Sequence, residues 1–300
     1  MRSFQGAVLF VDMLGFSALT RGTLSLGIDE CKPWKVDSHG NFPHQLLAAK
    51  ILLAFRNVLV KTKEKFPDVR VAQLSDCAFL WSANVGVVGD AGRHLMHEAA
   101  LKGLLCRGGF SIGDIHEPEK VNRSLGAFIV GDAVTRAATY ETAGKGMRIF
   151  TDQDAAHGLL AIRPNEVFHQ LINPLTGEIV DEWQWYAPSQ SMCAQQDKAG
   201  LRQKIDRLVG CYATLRYSPK LAWSATTPEG RRQIACSVVT LSEAIDKLDG
   251  NSGRYRLSIE HLLPALDNGG RSDRTCKKIR EQFVSGLIAP NQAVLRGRKR

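Results

Sequence analysis

Residues 7–19 read AVLFVDMLGFSAL. An apolar run rich in β-branched and aromatic residues carries the chain to one acid, Asp12, and breaks at once at Gly15. Such a run predicts a buried strand over residues 5–12. A carboxylate at its end is costly among apolar neighbours unless something compensates its charge. A helix cap, a buried salt bridge or a divalent cation would each do so. Gly15 lets the backbone turn sharply and approach a ligand. The helix expected after it presents free N–H groups and a positive dipole end to anions.

Working outward, residues 20–42 form a loop-rich excursion with Gly, Pro, Asp and Ser. Leu47, Ile51, Phe55 and Val58 recur at helical spacing, and that helix stops before Pro67. VRVAQLSDCAFLWSA (69–83) reads as two strands meeting near Ser75-Asp76. A helix over about 88–105 and a strand at CRGGFSIGDIH (106–116) follow. GAFIVGDAVTRAATYETA (126–143) starts as a short strand and becomes a helix near Gly131, with Val134, Ala137, Ala138 and Glu141 at helical spacing. MRIFTD (147–152) is a further strand, and EIVDEWQWYAP (178–188) suggests an edge hairpin. This order predicts an α/β (α+β) sheet domain with helices packed on one face. The domain is expected over residues 1–195, with a basic, mainly helical extension over 196–300. In that extension Leu201, Ile205, Leu208, Tyr212 and Leu215 mark an amphipathic helix, and the closing RGRKR suggests a disordered tail.

Composition narrows the functional classes. No apolar run approaches the ~18 residues that span a bilayer. No small-residue cleavage site follows the first residues, so a cytoplasmic protein without membrane contact is expected. The seven cysteines stand singly, which argues against zinc and against a disulfide framework. The histidines show no ligand spacing. Of the 39 Lys and Arg, 20 lie from residue 196 onward, against 10 of the 30 Asp and Glu. Residues 1–195 are therefore close to neutral, and the net charge of +9 belongs to the extension. Its bases are read as a solvated helical surface, with a nucleic acid or another anionic surface as the alternative.

A second acid, Asp76, sits at the centre of QLSDCAFL (73–80), where the two predicted strands meet. Two acids beside a glycine turn suit hard cations such as Mg²⁺ or Mn²⁺, which take carboxylate, carbonyl and phosphate oxygens. Four segments then resemble the class III nucleotidyl cyclases, in that family's order, across roughly residues 5–152. FVDMLGFSAL (10–19) is similar to the first metal motif and LSDCAFL (74–80) to the second. RGGFSIGD (107–114) resembles the next core strand, and GDAVTRAATYE (131–141) the glycine-to-helix segment. The resemblance implies a palm (ferredoxin-like) domain that dimerises head to tail, with active sites at the dimer interface. It implies two metal ions per site, held by Asp12, Asp76 and the carbonyl of Met13. It also implies a triphosphate cradle formed by Leu14, Gly15, Phe16 and Ser17.

This sequence departs from the family pattern at the base and at the transition state. The two positions that read a purine hold Ala72 and Phe128, neither able to make the hydrogen bonds. Loss of both readers argues against ATP and GTP. Strand alternation puts Arg70 on the face of Ala72 and Asp76, where it would donate to the 4-oxo group of uracil; a strand-start arginine at the surface is the alternative. The positions of the family's Asn and Arg pair hold Thr135 and Thr139. Arg107 and Arg136 are the candidate substitutes, with structural salt bridging as the other role for each, and Lys145 and Arg148 are further phosphate contacts. The flavour of the motifs most resembles the bacterial pyrimidine cyclases of Pycsar antiphage systems. That resemblance implies UTP or CTP as substrate and a cyclic pyrimidine nucleotide that activates a separate effector protein. An adenylate or guanylate cyclase, and a catalytically silent relative that binds nucleotides or nucleic acid, are the alternatives.

Overall fold

The computed structural model describes residues 1–24, 26–120, 126–172 and 177–186, and residues 233, 236, 237, 239, 240, 242 and 243 of the extension. The first apolar run is strand β1 (Arg2–Met13), followed by the short helices α1 (Phe16–Thr20) and α2 (Ile28–Cys31) and a 3-10 turn (Lys32–Trp34). Next come α3 (Pro43–Lys65), β2 (Arg70–Leu74), β3 (Cys77–Ser82), α4 (Val85–Leu101) and β4 (Cys106–Glu117). The chain continues with α5 (Asp132–Glu141), β5 (Ile149–Thr151), α6 (Gln153–Ile162), β6 (Phe168–Ile172) and β7 (Ile179–Trp183). Seven strands form one sheet in the order β2-β3-β1-β4-β5-β7-β6. The mixed α/β architecture expected from the sequence is present.

Alternation along β1 sorts the core into two layers. Ala7, Leu9 and Val11 pack with residues of α3, α4 and α6. Val8 and Phe10 face the other way, with Phe79 and Trp81 of β3 and Ala133 and Ala137 of α5. The helices thus lie on both faces of the sheet, not on one. Glycine in β4 makes this possible. A Cβ at Gly109 would lie 1.9 Å from the Ala137 carbonyl oxygen, so α5 rests directly on that strand.

Three other expectations change. The short strand before Gly131 shrinks to isolated bridge positions at Gly126 and Val130, the latter paired with His116. The hairpin near residue 180 is β6 with β7, but β7 is interior and β6 forms the edge. Helix α6 was not foreseen. Asp152 caps it by accepting from the Ala155 amide at 2.6 Å. Among the described residues no helix is long and apolar enough to cross a membrane.

Candidate active site

Asp12 lies one residue before the end of β1. In the register of the sheet it stands opposite Cys77 of β3 and Arg107 of β4. Directly opposed residues project to the same face. Cys77, Asp12 and Arg107 therefore form a row across three strands, on the face that α5 covers. Asp76 occupies the second place of the two-residue turn between β2 and β3. Ser75, the first, has φ of 58°, the left-handed conformation such tight hairpins require. The Met13 amide donates to the Asp76 carbonyl at 3.1 Å and the Leu14 amide to that of Leu105 at 2.8 Å. These bonds tie the end of β1 to its neighbours and bring both acids to one end of the sheet.

Gly15 then adopts φ 79° and ψ 5°, and α1 begins at Phe16. Leu14 is buried, Phe16 packs partly into the core, and Ser17 is exposed. The first-turn amides of α1 follow Asp12 by four to five residues. Carboxylate and free amides thus share one short segment.

A third carboxylate was not singled out from the sequence. Glu141, the last residue of α5, is 5% exposed. Arg107 grips it with Nε at 2.5 Å and with a second guanidinium nitrogen, and donates Nη1 to the Gly144 carbonyl at 2.9 Å. The available signal was an acid on the buried stripe of a helix, one turn beyond Ala137, which demands a cationic partner.

The electrostatics show how close these groups are. Burial, then the carboxylates of Glu141 and Asp76, push the Asp12 carboxyl up to about 7; Arg107 and the Met13 amide only partly offset this. Burial, then the carboxylates of Asp12, Asp76 and Glu141, push the Cys77 thiol up to about 11. Among the described residues no three His, Cys, Asp or Glu side chains form a metal cage. Mg²⁺ does not need one, since it is held by one or two carboxylates with phosphates and water. An all-oxygen pair in an excess negative field fits a hard divalent ion.

The remaining expected residues are placed as follows. Arg136 turns toward the β4–α6 side. It pairs with Asp132 and Asp152, each at 2.9 Å, and donates to the Ile112 carbonyl. Thr135 and Thr139 lie on the exposed side of α5, and their hydroxyls donate to the carbonyls of Gly131 and Thr135. Ala72 joins the α5-side cluster together with Ala127 and Ile129, the neighbours of Phe128. The two purine-reading positions are thereby brought to one region, with Phe128 55% exposed. A groove of about 420 Å³ adjoins Ala72, walled by Leu59, Val60 and Lys63 of α3 and by Gln73 and Leu74 of β2. Arg70 pairs with opposite Trp81 at the far end of β2, and its guanidinium meets buried Glu117 at 2.8 Å. Glu117 also accepts from Trp81 Nε1 at 2.8 Å and meets Arg2 at 3.1 Å. Arg148 pairs with Glu182.

No protein-family profile matches this sequence, and no curated protein matches it. Solved structures of similar shape include the guanylyl cyclase domain of the RhoGC fusion protein from the aquatic fungus Blastocladiella emersonii. It is 11% identical, with 61% of this chain and 95% of that chain covered, at a TM-score of 0.42. A bacterial light-regulated adenylyl cyclase is 16% identical over 69% of this chain and 99% of that one, at 0.40. The adenylyl cyclase CyaB from P. aeruginosa is 14% identical over 61% and 95%, at 0.40. These are distant likenesses, and what those proteins make stays with them.

Proposed function

We propose that this protein is a divalent-metal-dependent pyrimidine nucleotide cyclase, converting UTP to 3′,5′-cyclic UMP and pyrophosphate, with CTP as the second candidate. The observation that carries this is the convergence of Asp12 and Asp76 beside the Gly15 turn, where burial, and then the neighbouring carboxylates of Glu141 and Asp76, push Asp12 up to about 7. Asp12, Asp76 and the Met13 carbonyl would hold Mn²⁺ or Mg²⁺. When bound, such ions favour attack of the ribose 3′-oxygen on the α-phosphorus and stabilise the leaving pyrophosphate.

The chain's own groups do the rest by positioning and charge. Amides of Gly15, Phe16 and Ser17 would cradle phosphate oxygens; the Leu14 amide, expected among them, is instead spent on the Leu105 carbonyl. Arg107 places a positive charge in the same row as Asp12, and Glu141 fixes its direction. Ala72 and Phe128 leave the base site without purine-reading groups. The engagement of Arg70 with Glu117 takes that residue out of base reading, so the pyrimidine preference rests on those two apolar positions and the order of UTP before CTP on the resemblance alone. Phe10 and Phe79, with ring centroids 4.6 Å apart, lie on the sheet face that carries the site. The part of that face beside α5, with exposed Phe128 and Val130, is where a second copy would dock to complete a head-to-tail dimer. By the resemblance noted above, the product would be a second messenger acting on a separate effector in antiphage defence.

The test is incubation with Mn²⁺ and each of the four nucleoside triphosphates in turn, with products identified by mass spectrometry. Cyclic UMP is expected. Purine products alone would reject the base-site reading. Absence of any product would favour a silent nucleotide-binding relative, the reading that Thr135 and Thr139 support by bonding only their own helix.

A further inference from the structure

The turn from α5 to β5 links the candidate site to the C-terminal extension. On one side it serves β4: the Gly144 carbonyl accepts from Arg107, and the Arg148 carbonyl accepts from the Gly108 amide at 2.9 Å. On the other side, the Gly146 amide donates to Gln233 Oε1 at 2.6 Å, and the Met147 amide donates to Ser237 Oγ at 3.1 Å. Ser237 Oγ donates in turn to the Gln233 carbonyl at 2.8 Å. Gln233 is 6% and Ser237 0% exposed.

This contact is built for closeness. Gly146 has φ of +83°, and a Cβ there would lie 2.7 Å from Cys236 Cβ and 2.9 Å from the Ser237 nitrogen. Trp185 Nε1 donates to the Met147 carbonyl at 3.2 Å, so the turn that follows β7 closes on the same segment. Buried backbone amides need partners, and here the extension supplies them. Without Gln233 and Ser237, two amides of the turn whose Gly144 carbonyl holds Arg107 would be left buried and unpaired.

We propose that Gln233 and Ser237 are positioning residues of the candidate site: they clamp the Gly144–Arg148 turn, and through it fix Arg107 and Glu141 beside Asp12. This gives the extension a role in catalysis that its basic composition does not suggest. The catalytic consequence rests on the cyclase reading; the mechanical one does not.

The test uses the full chain carrying Ser237→Ala, Gln233→Leu, or both. Amide hydrogen exchange is followed at Gly146, Met147 and Gly108, and UTP turnover over a Mn²⁺ series. The double variant should exchange faster at all three amides, by about tenfold or more, with its far-UV circular dichroism unchanged. Its kcat should fall about tenfold with little change in KM, as expected when a group that serves the transition state is misplaced. Ser237→Thr, which keeps the hydroxyl, should restore both readouts. Thr240→Val, which removes a buried hydroxyl bonded to its own helix at Cys236, should move neither. Faster exchange at Gly146 and Met147 without any change at Gly108 would overturn the proposal, as would unchanged exchange throughout. If the double variant fails to fold, Ser237→Ala alone decides, by the same criteria. Should the unaltered protein turn over no nucleotide, the cyclase reading fails while the exchange measurements still decide the clamp.

Discussion

Arg107 stands directly opposite Asp12 across β1 and β4, yet its guanidinium is held by Glu141 and the Gly144 carbonyl. One arginine thus sits among three carboxylates and is committed to one of them. That imbalance governs how the site should respond to substitution, to pH and to metal.

Asp12→Asn and Asp76→Asn should each abolish turnover and Mn²⁺ binding while leaving circular dichroism unchanged. Asp12→Asn should also gain stability without metal at pH 8, because an amide of the same shape removes the repulsion. The gain is on the order of 1 kcal/mol, allowing for solvent screening of a half-buried group. Urea denaturation with and without Mn²⁺ checks both parts. Near-normal turnover in either variant would contradict the assignment of these acids.

The pH dependence follows from the same carboxyl, which moves from 3.8 to about 7 on folding. Between those values the folded protein holds more protons than the unfolded chain. The contribution of Asp12 to stability is therefore fully present below pH 3.8, falls as pH rises, and levels off above about 7. Mn²⁺ needs the ionised form, so its affinity should rise about tenfold per pH unit up to about 7 and then flatten. Titration calorimetry at pH 5, 6, 7 and 8 tests the trend, and a flat affinity across that range would contradict it.

Arg107→Met should destabilise the protein by about 3–5 kcal/mol, since it strands Glu141 as a buried charge. The double change Arg107→Met with Glu141→Leu should recover much of that loss without recovering turnover. Thermal denaturation separates the two effects. Equal destabilisation in the single and double variants would mean that packing, not charge, dominates at this position.

Gly109→Ala should displace α5, because the new methyl would fall within 1.9 Å of a backbone oxygen that cannot rotate away. A loss of about 3 kcal/mol or more is expected, at the upper end of overpacking costs. Tryptophan fluorescence of Trp81, which lies under the same face, should report the shift. A variant as stable as the parent would place α5 elsewhere.

What could be read from the sequence was local or periodic. β1, β4 and the hairpin at Ser75-Asp76 follow from short apolar runs broken by turn residues, and α5 follows from Gly131 and its alanine spacing. The two acids stood out because charge inside apolar sequence is expensive. The rest depended on distant pairings that leave no periodic trace. Arg70 finds Glu117, 47 positions away, only after β2, β3, β1 and β4 have assembled. Glu141 looked like one more residue at helical spacing until Arg107 was seen to grip it. The placement of α5 on the second face depended on what Gly109 lacks, and a missing side chain gives no signal of its own. Of the extension, the described residues show a docked polar face at Gln233 and Ser237; the amphipathic helix expected near Leu201 and the closing RGRKR lie outside the described residues.

Cys77 shares its row with Asp12 and follows Asp76 directly. Burial, and then the negative field that invites a divalent ion, keep this sulfur protonated at neutral pH. Alkylation and oxidation both proceed through the thiolate. This cysteine should therefore be slow to modify, shielded from oxidative damage by its burial and by the same charges that define the site.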